Sequence, residues 1–116
     1  MTTSAKQQSA TAPSVVQAWF AAHEAQQVEA ELTTMNDDVV IIDQDQTYRG
    51  RQAAQGWISS ASREYTYTTT VLETVSDGEA TVVTARLEGD FPGGRADLNY
   101  RFLLSDDRIS ALTISS

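Results

Sequence analysis

From Tyr65 to Ile114 the chain offers one strand after another and nothing else, and this run constrains the fold most. Tyr65 to Val75 concentrates Thr, Tyr and Val, whose branched and aromatic side chains suit a pleated surface. Ser76-Asp77-Gly78 marks a hairpin turn, Asp-Gly being a strong local signal for one. Ala80 to Glu88 returns as the next strand, and Gly89 to Gly94, with Pro92, makes a longer loop. Asp97 to Leu104 alternates, with Leu98, Tyr100, Phe102 and Leu104 on one face and Asn99 and Arg101 on the other. Ser105 to Asp107 turns the chain, and Arg108 to Ile114 closes it. Consecutive strands joined by such short links pair antiparallel, because a parallel pair needs a long crossover.

The first half has a different period. Ser14-Val-Val-Gln17 fits a capping box behind Pro13. Val16, Trp19, Phe20 and His23 then fall at i, i+3, i+4 and i+7, one face of a helix. Gln26-Gln27 marks a break, and Val28, Leu32 and Met35 predict a second short helix ending near Asn36. Asp37 to Asp43 reads as the first strand, and four β-branched residues in a row, Val39 to Ile42, predict burial on both faces. That strand runs into Asp43, with Asp45 two residues on and on the same face if the strand stays regular. Gln44 to Gln46 is turn-like, Thr47 to Arg49 a short return strand, and Arg51 to Ser62 a third helix with Ala53, Ala54, Trp57, Ile58 and Ala61 as its apolar stripe. Residues 1–12 lack periodicity and predict a flexible tail, leaving 13–116 as one domain. Helices gathered on one face of a mostly antiparallel sheet make an α+β fold. A curved sheet wrapped over three helices forms a cone whose open end is an apolar pocket.

Composition removes several function classes. Sixteen acidic residues against eight basic give a net charge of −8, so neither nucleic acid nor an anionic membrane surface is an expected partner. There is no cysteine, which excludes disulfides, thiolate metal sites and cysteine nucleophiles. The one histidine, His23, stands in no HxH or HExxH spacing, and no glycine-rich phosphate loop is visible, so no metal and no cofactor are expected. No apolar run has the length of a membrane span and the N-terminus lacks an apolar signal core, which predicts a cytoplasmic protein.

Several stretches together resemble the NTF2-like superfamily, within its SnoaL-like and ketosteroid-isomerase-like small proteins. They are Val15-Val16-Gln-Ala-Trp19-Phe20, Asn36 to Asp43, Tyr48-Arg49-Gly50-Arg51, Trp57, and the hairpin of Tyr100 to Leu104 with Arg108-Ile109. The resemblance covers about Pro13 to Ile114 and implies the cone-shaped fold, three helices on a curved sheet. Asp43 falls where the ketosteroid isomerases keep their proton-abstracting aspartate. Their oxyanion-hole tyrosine corresponds to Trp19, and their second oxyanion donor, an aspartic acid, maps near Tyr100. The base position matches and both donor positions differ, which argues against a true ketosteroid isomerase. The sheet type also implies a homodimer through its outer face.

Two readings follow. In the first, Asp43 is a general base on an apolar carbonyl compound, with Tyr100 donating to the enolate oxygen, in an isomerase, cyclase or dehydratase that needs no cofactor. Trp19, Phe20, His23, Trp57, Tyr67 and Phe102 would contact the ligand. In the second, the domain is a non-catalytic ligand-binding or dimerisation module, Asp43 caps the strand end, and Trp19 and Trp57 fill the pocket. Arg95-Ala-Asp97 has the spacing of an epoxide-hydrolase pair but reads more simply as a surface ion pair. Tyr65 and Tyr67 share a strand face that can line a pocket or an interface.

Overall fold

The computed structural model describes residues 12–64 and 66–116, without the side chains of 61–64 and 77. The expected tail at 1–12, Ala12 apart, and Tyr65 lie outside the described residues. Helices α1 (Ser14–Glu24), α2 (Val28–Thr33) and α3 (Gly50–Glu64) accompany strands β1 (Met35–Asp43), β2 (Gln46–Arg49), β3 (Tyr67–Asp77), β4 (Ala80–Gly89), β5 (Arg95–Ser105) and β6 (Arg108–Ser115). The strands form one sheet in the order β2-β1-β6-β5-β4-β3. Among the described residues only the β1–β6 pair is parallel: the last strand of the meander returns to cover the open edge of the first.

Register decides what faces the helices. Asp43, Ile114, Tyr100, Val83 and Thr74 are successive cross-strand partners and share the inner face. Ile41, Leu112 and Phe102 form the row beneath them. These rows merge with Val16 and Trp19 of α1, Leu32 of α2, and Ala54, Trp57 and Ile58 of α3 into one core. Register shifts in β3 between Val71 and Glu73, and in β5–β6 between Leu103 and Leu104, are bulges of the kind that bend strands.

Four local expectations change. Pro13, not Ser14, is the N-cap of α1, and no side chain caps it; Ser14 already lies inside the helix, so its hydroxyl comes one residue late. Gln17 reaches back to the Ala12 carbonyl instead, at 2.7 Å. Met35 does not end α2 but begins β1, where it pairs with Ile109. Val39 to Ile42 is buried on one face only: Val39 and Ile41 are enclosed while Ile42 is 36% exposed, because among the described residues no second layer covers the outer face. Asp45 leaves the face of Asp43, since β1 stops there and Gln44 (φ 50°) and Asp45 (φ 71°) form a two-residue left-handed turn to Gln46. At the β2–α3 junction the chain turns at φ 86°, a conformation that suits Gly50.

Candidate functional site

The helical spacing of Trp19, Phe20 and His23 brings all three onto the inner side of α1. Gln26 (φ 59°) breaks the helix, so α2 turns back and Glu31 reaches His23. His23 Nδ1 lies 2.9 Å from Glu31 Oε1, and His23 Nε2 lies 2.9 Å from the Tyr67 hydroxyl on β3. The imidazole stacks on the Trp19 indole at 4.6 Å and 12° and lies parallel to the more distant Trp57 indole at 6.2 Å and 3°. Glu31 is 0% exposed, and its second oxygen has no partner among the described residues. Glu31–His23–Tyr67 is thus a polar line running from the core to the sheet edge.

Asp43 stands at the C-terminal end of β1, half-buried, and accepts a 3.0 Å hydrogen bond from Trp57 Nε1 at Oδ2. Its other oxygen makes no hydrogen bond among the described residues. Asp43 and Tyr100 lie two strands apart in one row, roughly 10 Å between Cα atoms at the usual strand spacing. Burial pushes the Tyr100 phenol well above its ordinary range, and Tyr67 and the Asp43 charge add to this. The Tyr67 phenol is raised by burial first, then by the charges of Glu31, Asp43 and Glu24. Both phenols therefore sit within the field of Asp43 and stay protonated as donors.

An apolar cavity of about 230 Å³ opens beside this cluster, lined by Tyr67, Leu87, Phe91, Leu98 and Gln44, the neighbour of Asp43. That volume suits a ligand of one or two rings and falls below that of drug-sized pockets. A second cavity, about 280 Å³ between α1 and edge strand β3, is lined by Phe20, Val71 and Val83 with Gln17 and Thr74. Its lining holds no acid or base, whereas the first includes the Tyr67 phenol.

The expected site residues divide into groups. Asp43 and Tyr100 share the inner face, and Tyr67 lines the cavity mouth. Trp19 and Phe102 are fully enclosed in the core, away from the lining of either cavity. Trp57 is nearly enclosed and holds Asp43. Phe20 packs edge-on against Tyr100 at 5.1 Å and faces the second cavity. His23 is buried with both ring nitrogens bonded. Asp97 pairs with Arg86 at 2.8 Å in an exposed cross-strand pair on the outer face, so Arg95 and Asp97 do not converge on Asp43. Among the described residues no group of three acidic, His or Cys side chains could hold a metal ion. No helix among them is long and apolar enough to cross a membrane.

Sequence reasoning missed Glu31. The signal was present: with Val28, Leu32 and Met35 marking an apolar stripe, Glu31 falls on that stripe, eight residues after the single histidine.

A family model described as a SnoaL-like domain matches residues 16–111. No curated protein matches the sequence. Among solved structures, a candidate polyketide cyclase from Sinorhizobium meliloti is 31% identical, with a TM-score of 0.85 over 90% of this chain and 95% of that one. A hypothetical protein with a ketosteroid isomerase-like fold from Catenulispora acidiphila, in complex with trimethylamine, is 19% identical, with a TM-score of 0.80 over 91% and 87%. TerC, co-crystallised with polyporic acid, is 15% identical, with a TM-score of 0.77 over 88% of each chain. The last two likenesses concern the fold alone, which is NTF2-like.

Proposed function

The chain belongs to the SnoaL-like family, and from that premise we propose that it acts on a small apolar carbonyl compound by acid–base chemistry, with Asp43 as the general base. The observation that carries this reading is the Trp57–Asp43 hydrogen bond beside an apolar cavity. One carboxylate oxygen is fixed and the other is left to take a proton. An aspartate so placed can remove a proton next to a carbonyl, and a phenol in the same field can stabilise the enolate oxygen. Isomerisation, cyclisation and dehydration of an enolisable compound all begin with that step, and the candidate polyketide cyclase at 31% identity favours a polyketide-like aromatic or polycyclic ketone. The test is an amide NMR titration with 2-tetralone, a benzo-fused bicyclic ketone with an acidic benzylic α-hydrogen. Shifts confined to Gln44, Tyr67, Leu87 and Leu98 are expected, and none, or shifts around Phe20 and Val71, contradict the assigned cavity.

A second reading has its own support. Trp19 and Trp57 are both in the core, and Asp43 is engaged by Trp57, as a non-catalytic ligand-binding module would have it. Binding of 2-tetralone without proton exchange at its α-carbon distinguishes the module from the enzyme. Either reading includes a homodimer through the outer sheet face, supported by the apolar row of Val40, Ala111 and Leu103 and by exposed Ile42. Sedimentation is expected to give a dimer that Ile42→Lys converts to a monomer; an unchanged dimer removes that face from the interface.

A further inference from the structure

We infer that Tyr67 is the hydrogen-bond donor of this site, its hydroxyl directed into the cavity by the buried Glu31–His23 pair behind it; the inference rests on the acid–base reading above. The Glu31 carboxyl group is wholly enclosed, and only His23 bonds it among the described residues. A carboxylate enclosed beside a neutral imidazole would hold an uncompensated charge, a costly state in a protein interior. The pair is neutral overall only as carboxylate with imidazolium, or as carboxylic acid with imidazole. In the first form both ring nitrogens carry protons. In the second the acid donates to Nδ1, and the proton of the ring is on Nε2. Nε2 is therefore the donor toward Tyr67 in both.

The consequence falls on the phenol. Nε2–H donates across 2.9 Å to the Tyr67 oxygen, so the Tyr67 O–H is left for another acceptor. Tyr67 makes no other hydrogen bond among the described residues, and its side chain lines the cavity. Burial, and then the charges of Glu31, Asp43 and Glu24, oppose its ionisation, which keeps the proton available. Tyr100, the donor expected from sequence, is more deeply enclosed. Tyr67 is the phenol that a ligand meets.

The proton balance closes without a further reactant. Asp43 takes the proton from the carbon next to the ligand carbonyl, and that electron pair moves to the carbonyl oxygen. Tyr67 O–H donates a hydrogen bond to that oxygen and keeps its proton, with His23 Nε2–H donating to the Tyr67 oxygen behind it. The products are an enolate and a neutral Asp43 carboxylic acid, so the charge that leaves Asp43 appears on the ligand oxygen. Returning the proton of Asp43 to carbon restores the start. Tyr67 is the catalytic residue here; His23 and Glu31 are positioning residues.

The test uses two probes of similar shape, 4-nitrophenolate, which carries an oxyanion, and nitrobenzene, which does not. Both are titrated by calorimetry at a pH where free 4-nitrophenol is ionised. The full chain carries Asp43→Asn, which mimics the charge of Asp43 after it has taken a proton. Tyr67→Phe is expected to weaken phenolate binding about tenfold or more, the size of a lost charge-assisted hydrogen bond, and to leave nitrobenzene within about twofold. Glu31→Leu is expected to reproduce that split, because without a carboxyl group at Nδ1 nothing fixes the ring proton on Nε2 toward Tyr67. If Glu31→Leu does not fold, half-buried Tyr67→Phe still decides the donor. Unchanged phenolate binding by Tyr67→Phe overturns the donor and leaves the cavity assignment standing. Equal weakening of both probes by Glu31→Leu overturns its positioning role. Failure of the Asp43→Asn protein to bind either probe overturns the cavity and the donor together.

Discussion

Replacing His23 by Phe offers the sharpest look at the buried pair, because a phenyl ring keeps the aromatic packing against Trp19 while removing the polar partner of Glu31, together with the bond to Tyr67. Glu31 is then enclosed with neither water nor a partner, and must take up a proton to stay inside. From an ordinary glutamate value near 4.3, holding the proton costs about 1.4 kcal/mol per pH unit, or about 3.7 kcal/mol at pH 7. That agrees with the 3–5 kcal/mol typical of breaking a buried ion pair, a large part of the roughly 5–15 kcal/mol that holds a domain together. The sign with pH is definite. In the variant the acid is neutral when folded and ionised when unfolded, so its stability is complete below the ordinary glutamate value and falls as pH rises. The deficit relative to wild type should shrink by about 2 kcal/mol between pH 7 and pH 5. Glu31→Leu alone is expected to cost about 1–3 kcal/mol, through the imidazole nitrogen left unbonded. His23→Phe with Glu31→Leu removes both partners and should lie within about 1–2 kcal/mol of wild type. The assay is urea unfolding followed by the fluorescence of Trp19 and Trp57. Additive single costs, or a His23→Phe deficit that ignores pH, would refute an enclosed, mutually dependent pair.

Three smaller predictions follow from the same geometry. Trp57→Phe removes the donor to half-exposed Asp43 and should cost about 1–2 kcal/mol in urea unfolding, the usual value for such a bond reduced for solvent screening; an unchanged midpoint denies the bond. Tyr67 and Tyr100 should titrate late in a spectrophotometric titration, and stability should fall above the ordinary phenol value of 10.0 as the unfolded chain gives up their protons; Tyr100→Phe should flatten that fall, and an unchanged slope contradicts burial of the phenol. Gly50→Ala should cost about 1–2 kcal/mol from its left-handed backbone, since the added methyl group meets nothing nearer than the Asp37 carbonyl at 3.9 Å; a neutral effect would mean that the junction relaxes.

Much of the fold is legible because local chemistry and global register agree. The alternation of Leu98, Tyr100 and Phe102 is the inner face of β5, and the left-handed Gln44-Asp45 turn lies within the turn-like Gln44 to Gln46. The failures are tertiary. The run Val39 to Ile42 has the apolar content of a strand buried on both faces, yet burial depends on a second layer, and the described residues lay none on the outer face. The capping-box pattern at Ser14 is real, but the helix starts one residue earlier, where the Pro13 carbonyl accepts the amides of Val16 and Gln17. The site was half visible: Asp43 stands out as a carboxylate after an apolar strand. Its link to Trp57 depends on how α3 packs over β1, and the link of Glu31 to His23 depends on the turn at Gln26. Periodicity marked Glu31 only as an acidic residue on an apolar stripe, which reads as an irregularity until the helices are brought together.

Deuterium exchange at the α-carbon of 2-tetralone tests the central claim, that Asp43 is a base facing an apolar cavity. The ketone is incubated in D2O with wild type and with Asp43→Asn, which keeps an oxygen for Trp57 to bond and so spares the fold. Proton NMR follows the loss of the α-hydrogen signal. The account predicts exchange above the buffer rate for the wild type, falling by about 10²–10⁴-fold in Asp43→Asn, the usual contribution of a general base. Binding without exchange above the buffer rate, or exchange equal in the two proteins, would contradict it and leave Asp43 as the residue that anchors Trp57.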